Sequence, residues 1–180
     1  MKILLDANVL FPTVMREVLL GVASQGLFTP FWSERILEEW ARAAAKLGPG
    51  GEAQARGEIA LLKAAWPKGQ VAYPAEKENR FWLPDPGDIH VLAAAEAAHA
   101  DAIMTMNAKD FPRHILAEEG LARVDPDGYL FQCWQTNPRT VESVAARVLA
   151  QARHMSGEDW TMRGLLKKAR MPRLGRALDG

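Results

Sequence analysis

The chain has 180 residues, of which 48% are apolar and 24% are charged, a balance typical of a globular domain with its own core. The single cysteine excludes a disulfide framework and a cysteine-rich zinc site, and no apolar run reaches the roughly 20 residues that span a bilayer. Because the N-terminus enters a predicted strand without a charged leader, we expect no secretory signal, no membrane association and a cytoplasmic location.

Positive and negative side chains balance over the whole chain but not along it. There are 22 Lys and Arg against 22 Asp and Glu, so the formal net charge of zero offers no overall attraction for a polyanion. Residues 1–138 carry 13 basic and 18 acidic side chains, whereas residues 139–180 carry 9 and 4. The sequence therefore predicts an acidic body and a basic tail.

The first part of the chain combines a short apolar run with stretches of helical periodicity. Residues 2–6 form an uninterrupted apolar run that ends on Asp6, as in a strand covered on both faces of a parallel sheet. Ser33 is placed to cap a helix whose apolar stripe includes Trp40. Residues 71–73 are too short to assign. The helices predicted here are Phe11–Ser24, Glu34–Leu47 and Glu52–Trp66.

Further along, a helix and a strand follow one another, and the chain then becomes helical. Residues 81–88 lead into an alanine-rich helix, Ile89–Ala98, which precedes a strand, Ala102–Thr105. This alternation indicates an α/β fold with a parallel sheet. Three more helices are predicted over 129–134, 140–154 and 160–169. We therefore expect a body at residues 1–126 and a helical, basic extension at residues 127–180.

Acidic side chains are concentrated at the ends of the predicted elements. Asp6 ends the first strand, Asp110 follows the strand at 102–105, and Asp85 and Asp88 begin a helix. In an open α/β sheet, ligands bind at the carboxyl ends of the strands. Carboxylates brought together repel one another, and a hard cation such as Mg²⁺ or Mn²⁺ removes that penalty. The chemistry that fits is metal-assisted hydrolysis of a phosphodiester.

Local structural roles compete with a metal site for the same acids. Asp85 is also a good helix N-cap, because a proline follows it at the first helical position. Asp6 and Asn8 suit an Asx turn, and Asp110 suits a cap for the turn that follows it. Spacing alone leaves both interpretations open.

Four short segments resemble, in chain order, the motifs of PIN-domain ribonucleases. Residues 4–10, Leu-Leu-Asp-Ala-Asn-Val-Leu, are similar to the opening strand of that family, with Asp6 in place of its first metal-binding acid and Asn8 as a polar companion. Residues 85–95 resemble the third motif, with Asp88 in place of its acid.

The second segment, Ser33 to Trp40, is similar to a motif in which a helix that follows a serine carries a glutamate. Glu38 and Glu39 both lie away from the apolar stripe, so solvation is the structural interpretation of each. Glu39 matches the family position better because it directly precedes a large apolar residue, and Glu38 is the alternative.

The fourth segment, residues 102–111, departs from the common form of its motif. Many PIN domains have an aspartate two residues after the threonine, where this chain has Asn107. An amide can donate a hydrogen bond or offer a carbonyl, but it brings no charge. The resemblance therefore assigns the acid to Asp110, which lies three residues later.

The resemblance implies a PIN-like, three-layer α/β/α fold with a central parallel sheet. It also implies that the protein is a metal-dependent endoribonuclease, which uses Mg²⁺ or Mn²⁺ to cleave RNA. Many such proteins are the toxins of toxin-antitoxin pairs and form homodimers, so a small antitoxin and a second copy are expected partners. The expected metal ligands are Asp6, Glu39, Asp88 and Asp110, and the residues expected to orient ligands or water are Asn8, Thr105 and Asn107.

Other functions compete with this one. The amide at Asn107 and the zero net charge favour a PIN domain that binds RNA or a partner protein without cleaving it. A phosphohydrolase for small substrates ranks last, because residue 8 is Asn and the strand-end Asp-x-Asp of aspartyl phosphatases is missing. His90 is interpreted as a helix-packing residue. The tail is interpreted as a docked amphipathic helix with solvated cations, with phosphate contacts by its basic side chains as the alternative. The six tryptophans are interpreted mainly as packing residues, with base stacking as the alternative.

Overall fold

The computed structural model describes residues 1–180 and contains one five-stranded, all-parallel sheet. Its strands are β1 (Lys2–Leu5), β2 (Thr29–Ser33), β3 (Gln70–Val71), β4 (Ala102–Met104) and β5 (Ala122–Val124). Their order across the sheet is β3-β2-β1-β4-β5. β1 is central: its Leu4 lies opposite Phe31 of β2 on one side and Ile103 of β4 on the other.

Ten α-helices and two short 3-10 helices make up the rest of the regular structure. The α-helices are α1 (Ala7–Leu10), α2 (Thr13–Ser24), α3 (Glu34–Ala45), α4 (Gly51–Ala65), α5 (Ile89–Ala97), α6 (Arg113–Glu118), α7 (Pro126–Thr136), α8 (Pro138–Ser156), α9 (Met162–Lys168) and α10 (Pro172–Leu178). The 3-10 helices are Ala75–Arg80 and Pro86–Asp88. None of these helices is long and apolar enough to cross a membrane.

The central strands are buried on both faces. Ile3, Leu4 and Leu5 of β1 have no exposed surface, and neither has Ile103 of β4. Because neither face of such a strand meets water, its sequence is a continuous apolar run instead of an alternating one. Polar side chains begin where the strand ends, at Asp6.

The chain divides into two compact units, and neither is continuous in sequence. The first consists of Met1–Phe11 and Thr29–Arg123, and the second of Pro12–Phe28 and Val124–Gly180. The first unit contains almost the whole sheet and every predicted site residue, and the second contains α2 and α7 to α10. The predicted division of the chain at residues 126 and 127 stays a prediction.

The second unit has its own packing and capping contacts. The rings of Phe28 and Tyr129 meet edge to face, with centroids 5.5 Å apart. The carboxylate of Asp127 accepts hydrogen bonds from the backbone N–H groups of Arg173 and Leu174, each at 2.9 Å. Since these are N–H groups in the first turn of α10, Asp127 supplies partners that the helix itself cannot.

Basic side chains of the extension find partners within the same unit. Lys168 Nζ lies 5.2 Å from the centroid of the Trp160 ring, and Arg163 Nη1 lies 3.4 Å from Asp179 Oδ2. Leu165 of the same helix, α9, is buried. This combination of a buried apolar side and outward cations is that of a docked amphipathic helix.

The predicted fold class is confirmed: the chain has a three-layer α/β/α fold around a parallel sheet. The largest omission from the sequence prediction is β2, which pairs directly with β1. A smaller difference lies after Asp6, where the short helix α1 was not predicted; the predicted helix 11–24 corresponds to α2, which begins after Pro12. The alanine-rich helix and the strand that follows it end within one residue of the prediction.

Candidate metal centre

Asp6 lies where β1 ends, and its position is fixed by its neighbours on both sides. Its backbone N–H donates to the Met104 carbonyl of β4 at 3.0 Å, which continues the sheet pairing by one residue. Its side-chain Oδ1 accepts from the N–H of Ala7 at 2.8 Å, so the same carboxylate begins α1. The predicted strand-end acid is therefore also a helix cap, and this local role leaves the predicted metal-binding role of Asp6 a prediction.

A buried hydroxyl connects the ends of β1 and β4. Thr105 is 2% exposed, and its Oγ1 donates to Asp6 Oδ2 at 2.9 Å. Thr105 Oγ1 also accepts from Asn8 Nδ2 and from the N–H of Asn107, both at 3.1 Å. Asn8 Nδ2 reaches Asp6 Oδ2 at 3.1 Å as well, and its Oδ1 accepts from the N–H of Met106. This network holds the Asp6 carboxylate in one orientation.

The second group of acids comes from the entry to α5. Asp85 Oδ1 accepts from the N–H of Gly87 at 2.8 Å, and the N–H of Asp88 donates to the carbonyl of Asp85 at 3.0 Å. These bonds close the short 3-10 helix Pro86–Asp88 that precedes α5. Because Asp88 follows Asp85 by three positions in a helical turn, both carboxylates lie on the same side of the chain.

Asp110 joins these acids from the loop that follows β4. Asn107 Nδ2 donates to Asp110 Oδ2 at 2.5 Å. Asn107 is the residue at which the fourth segment departs from the common form of its motif, and its amide orients the Asp110 carboxylate. Oxygens from Asp85, Asp88 and Asp110 all lie within 4.8 Å of one another. We call these three residues the acid cluster.

The electrostatics of the acid cluster are those of crowded negative charge. The pKa of Asp88 is raised to about 6, first by burial and then by the charges of Asp6, Asp85, Asp110 and Glu39. Burial also raises the pKa of Asp6, although hydrogen bonds from Thr105 and Ala7 oppose the rise. At neutral pH a cation bound among these groups would relieve the repulsion.

The two candidate glutamates of α3 have different surroundings. Glu38 lies between two arginines, with Arg56 Nη2 at 2.9 Å and Arg42 Nε at 3.7 Å from its Oε1. The hydrogen bonds from Arg56 lower the pKa of Glu38. Glu39 Oε1 instead lies 2.6 Å from His90 Nε2 of α5, and Glu39 is close enough to raise the pKa of Asp6 and of Asp88. The geometry associates Glu39, and not Glu38, with the acid cluster.

The structure brings the predicted site residues together to different degrees. Of the four predicted metal ligands, Asp88 and Asp110 are members of the acid cluster, whereas Asp6 and Glu39 lie outside it and act on it through charge. Asp85 is a member that the sequence argument treated mainly as a helix cap. Its signal in the sequence was the spacing of three residues before Asp88. The assignment of individual metal ligands stays a prediction.

The donor set fits a hard divalent cation. The three members of the acid cluster offer only carboxylate oxygens, which Mg²⁺ and Mn²⁺ prefer, and burial together with the neighbouring carboxylates raises the pKa of Asp88. Zinc sites are usually built from Cys and His, and Cys133 lies in the other unit of the chain.

Comparison with known proteins agrees with the geometry. The family model described as PIN domain matches residues 2–109, a range that includes three of the four sequence motifs completely and most of the fourth. No curated protein matches the chain, and no solved structure matches it. PIN domains generally bind divalent metals and the family indicates a nuclease-type hydrolase, in keeping with the acid cluster at this sheet end. The chain therefore belongs to the PIN domain family.

Proposed function

We propose that this PIN domain is an endoribonuclease that hydrolyses RNA phosphodiester bonds with Mg²⁺ or Mn²⁺. The observation that carries the proposal is the acid cluster, three carboxylates with oxygens within 4.8 Å of one another, in which burial and neighbouring carboxylates raise the pKa of Asp88. Asp6 and Glu39 complete the negative site from β1 and α3. A bound divalent ion supplies charge neutralisation for a phosphate and lowers the pKa of a water for attack on phosphorus.

The residues around the carboxylates have supporting parts in this proposal. Thr105 and Asn8 hold Asp6 Oδ2 in place, so that the carboxylate meets a cation without first being ordered. Asn107 holds Asp110 Oδ2 and leaves Oδ1 of that carboxylate as the oxygen available to a cation. These three polar residues therefore orient ligands, as the family resemblance implies for them.

An exposed tryptophan near the acid cluster favours RNA with unpaired bases. Trp82 is 66% exposed, whereas its neighbours Phe81 and Leu83 are buried and anchor the segment. Because Trp82 is three residues from Asp85, its Cα lies within about 11 Å of that of the cluster residue. Exposed aromatic rings stack on unpaired bases, with about 1–3 kcal/mol for each base. We propose that Trp82 stacks on a nucleotide next to the scissile phosphate.

Cleavage of labelled RNA tests the proposed activity. The full chain should cut single-stranded RNA when Mn²⁺ or Mg²⁺ is added and stop when a chelator is added. Asp6→Asn should abolish cutting, whereas the matched control Glu38→Gln should cut like the unaltered chain, because Glu38 is held by arginines away from the acid cluster. Cutting by Asp6→Asn at the unaltered rate would overturn the proposal.

Trp82→Ala should raise KM for single-stranded RNA by about tenfold and leave kcat unchanged.

A role as the toxin of a toxin-antitoxin pair is a further part of the proposal, and membership of the PIN family supports it. A small antitoxin and a second copy of the chain are then the protein partners. Expression of the chain should arrest growth of a bacterial host, and Asp6→Asn should remove the arrest. Size-exclusion chromatography with light scattering tests the homodimer, and a monomer at every concentration would exclude it.

A binding module without catalysis is the second candidate, and one observation favours it. Asn107 brings no charge, and its amide occupies one oxygen of Asp110, so the site has fewer free anionic oxygens than four carboxylates would provide. Calorimetry separates the candidates: no heat of Mn²⁺ binding at millimolar metal, together with retained affinity for RNA or a protein partner, would support the module.

A further inference from the structure

His90 is a fully buried polar residue in a mostly apolar helix. It has no exposed surface, and the residues that follow it in α5, Val91 to Ala95, are also buried and entirely apolar. Its Nε2 lies 2.6 Å from Glu39 Oε1, although neither ring nitrogen forms a hydrogen bond of good geometry. The Glu39 carboxylate is therefore in close contact with the ring.

Burial of an imidazole in this way opposes folding. A polar group without a well-aligned hydrogen bond loses its interactions with water and regains only part of them. A leucine would satisfy the apolar surroundings of α5 at this position without that cost. A residue that conflicts with its local environment is typical of a functional position, where a contact matters more than packing.

Glu39 needs such a contact because its own position leaves it free to move. Its side chain is 38% exposed on α3, and Arg35 Nε, one helical turn away, lies 4.0 Å from the same Oε1. A solvated glutamate on a helix has several rotamers available, and an arginine four residues away would draw it along the helix surface. The rigid ring of His90 instead holds Oε1 against α5, the helix that begins at the acid cluster.

We propose that His90 is a positioning residue, which holds Glu39 by Oε1 and keeps Oε2 available to the divalent cation of the acid cluster. The proposal rests on the proposed function, because it assigns Glu39 to the metal site. Polar groups that orient metal-binding side chains contribute strongly to metal affinity, and their removal reduces it by about 10- to 100-fold. His90 therefore acts through Glu39 and touches neither metal nor RNA.

Calorimetric titration of Mn²⁺ into the full chain tests this role with a double-mutant cycle. His90→Leu should weaken Mn²⁺ binding by about 10- to 100-fold, whereas His90→Gln, which keeps an N–H donor in a side chain of similar reach, should remain within about threefold of the unaltered chain. In the Glu39→Gln background, His90→Leu should change the affinity by less than about twofold, because the positioned carboxylate is already gone. Thermal unfolding without metal confirms that each variant is folded.

Two results would overturn the role of His90. One is an unchanged Mn²⁺ affinity in His90→Leu, and the other is an equal loss in the presence and absence of Glu39. If His90→Leu does not fold, the ¹⁵N chemical shift of His90 Nε2 in the unaltered ring decides: it should move in Glu39→Gln and on addition of Mg²⁺, and a shift that stays constant would contradict the contact. If the unaltered chain itself binds no Mn²⁺, the proposed function fails. If the unaltered chain binds Mn²⁺ and His90→Leu binds it equally well, only the role of His90 fails, so the two failures are distinguishable.

Discussion

Two regions of the first unit contain closely spaced carboxylates but differ in whether basic side chains balance their charge. On the outer face of α3 and α4, Glu38 and Glu52 are neutralised by Arg42 and Arg56 at distances between 2.7 and 3.7 Å. We call these four residues the ion-pair network. In the acid cluster, the charges that act on Asp88 are those of other carboxylates, and they repel it.

The pKa directions record this difference. Arg56 lowers the pKa of Glu38, whereas burial and neighbouring carboxylates raise the pKa of Asp88 to about 6. Both regions contain closely spaced carboxylates, but only the ion-pair network also contains arginines. What separates them is that arginines balance the carboxylates of the ion-pair network, whereas the acid cluster is positioned to hold a cation that would balance it.

The largest difference between the regions should appear when one carboxylate is removed from each. Asp88→Asn is expected to reduce Mn²⁺-dependent RNA cleavage by at least about 100-fold, because it removes a charged oxygen from the acid cluster. Glu38→Gln, which removes a charge of the same kind from the ion-pair network, should leave the rate unchanged. Initial rates at saturating Mn²⁺ measure both. An equal loss of cleavage rate in Asp88→Asn and Glu38→Gln would contradict the difference between the acid cluster and the ion-pair network.

Adding a negative charge beside the acid cluster should strengthen Mn²⁺ binding. Asn107→Asp removes the amide that donates to Asp110 Oδ2 and places a further carboxylate beside it. Ligand charge is a main determinant of affinity for hard cations, so we expect Mn²⁺ to bind about tenfold more tightly at pH 8. Calorimetry of the full chain provides the measurement. An unchanged or weaker affinity would show that position 107 lies outside the metal site.

Metal binding at the acid cluster should depend on pH in the range where Asp88 titrates. Mn²⁺ needs the ionised carboxylate, and the pKa of Asp88 in the folded chain is about 6. Below pH 6 the proton competes with the metal, and the affinity should fall by about tenfold for each pH unit. Mn²⁺ titrations between pH 5 and pH 8 test this. A flat profile across that range would mean that Asp88 is not a ligand.

The smallest expected effect concerns stability without metal. Because the pKa of Asp88 is raised in the folded chain, the folded state binds that proton more tightly than the unfolded state, so stability falls as pH rises from about 4 through about 6. Asp88→Asn removes this dependence. Since Asp88 is partly exposed and solvent weakens the repulsion, we expect its Tm to exceed that of the unaltered chain by about 2–4 °C at pH 8 with chelator present. A lower Tm in Asp88→Asn would contradict the repulsion.

Much of the fold was predictable because its signals are local. The apolar run that ends on Asp6 and the alanine-rich helix after Asp88 each follow from a pattern of adjacent residues. β2 was not predictable in this way: it has five residues, contains Pro30, and owes its conformation to pairing with β1. Strands of this kind are defined by long-range partners and not by their own sequence.

The candidate site also combines features that local sequence predicts with features that depend on distant residues. Strand-end acids such as Asp6 and Asp110 could be placed from sequence, because parallel strands end at one edge of the sheet. The choice of Glu39 over Glu38 rested on the family resemblance alone, because residue spacing does not distinguish adjacent helix residues with the same charge, which differ in what packs opposite them. The arginines that hold Glu38 and the buried His90 beside Glu39 lie on other elements, distant in sequence.

The most direct test of the central claim is a crystal structure of the full chain soaked in Mn²⁺, with the ion located by its anomalous signal. We expect a peak coordinated by the carboxylates of Asp88 and Asp110, with none at the ion-pair network of α3 and α4. A structure without a peak at the acid cluster at millimolar Mn²⁺, or with its strongest peak bound to Glu38 or Glu52, would contradict the account.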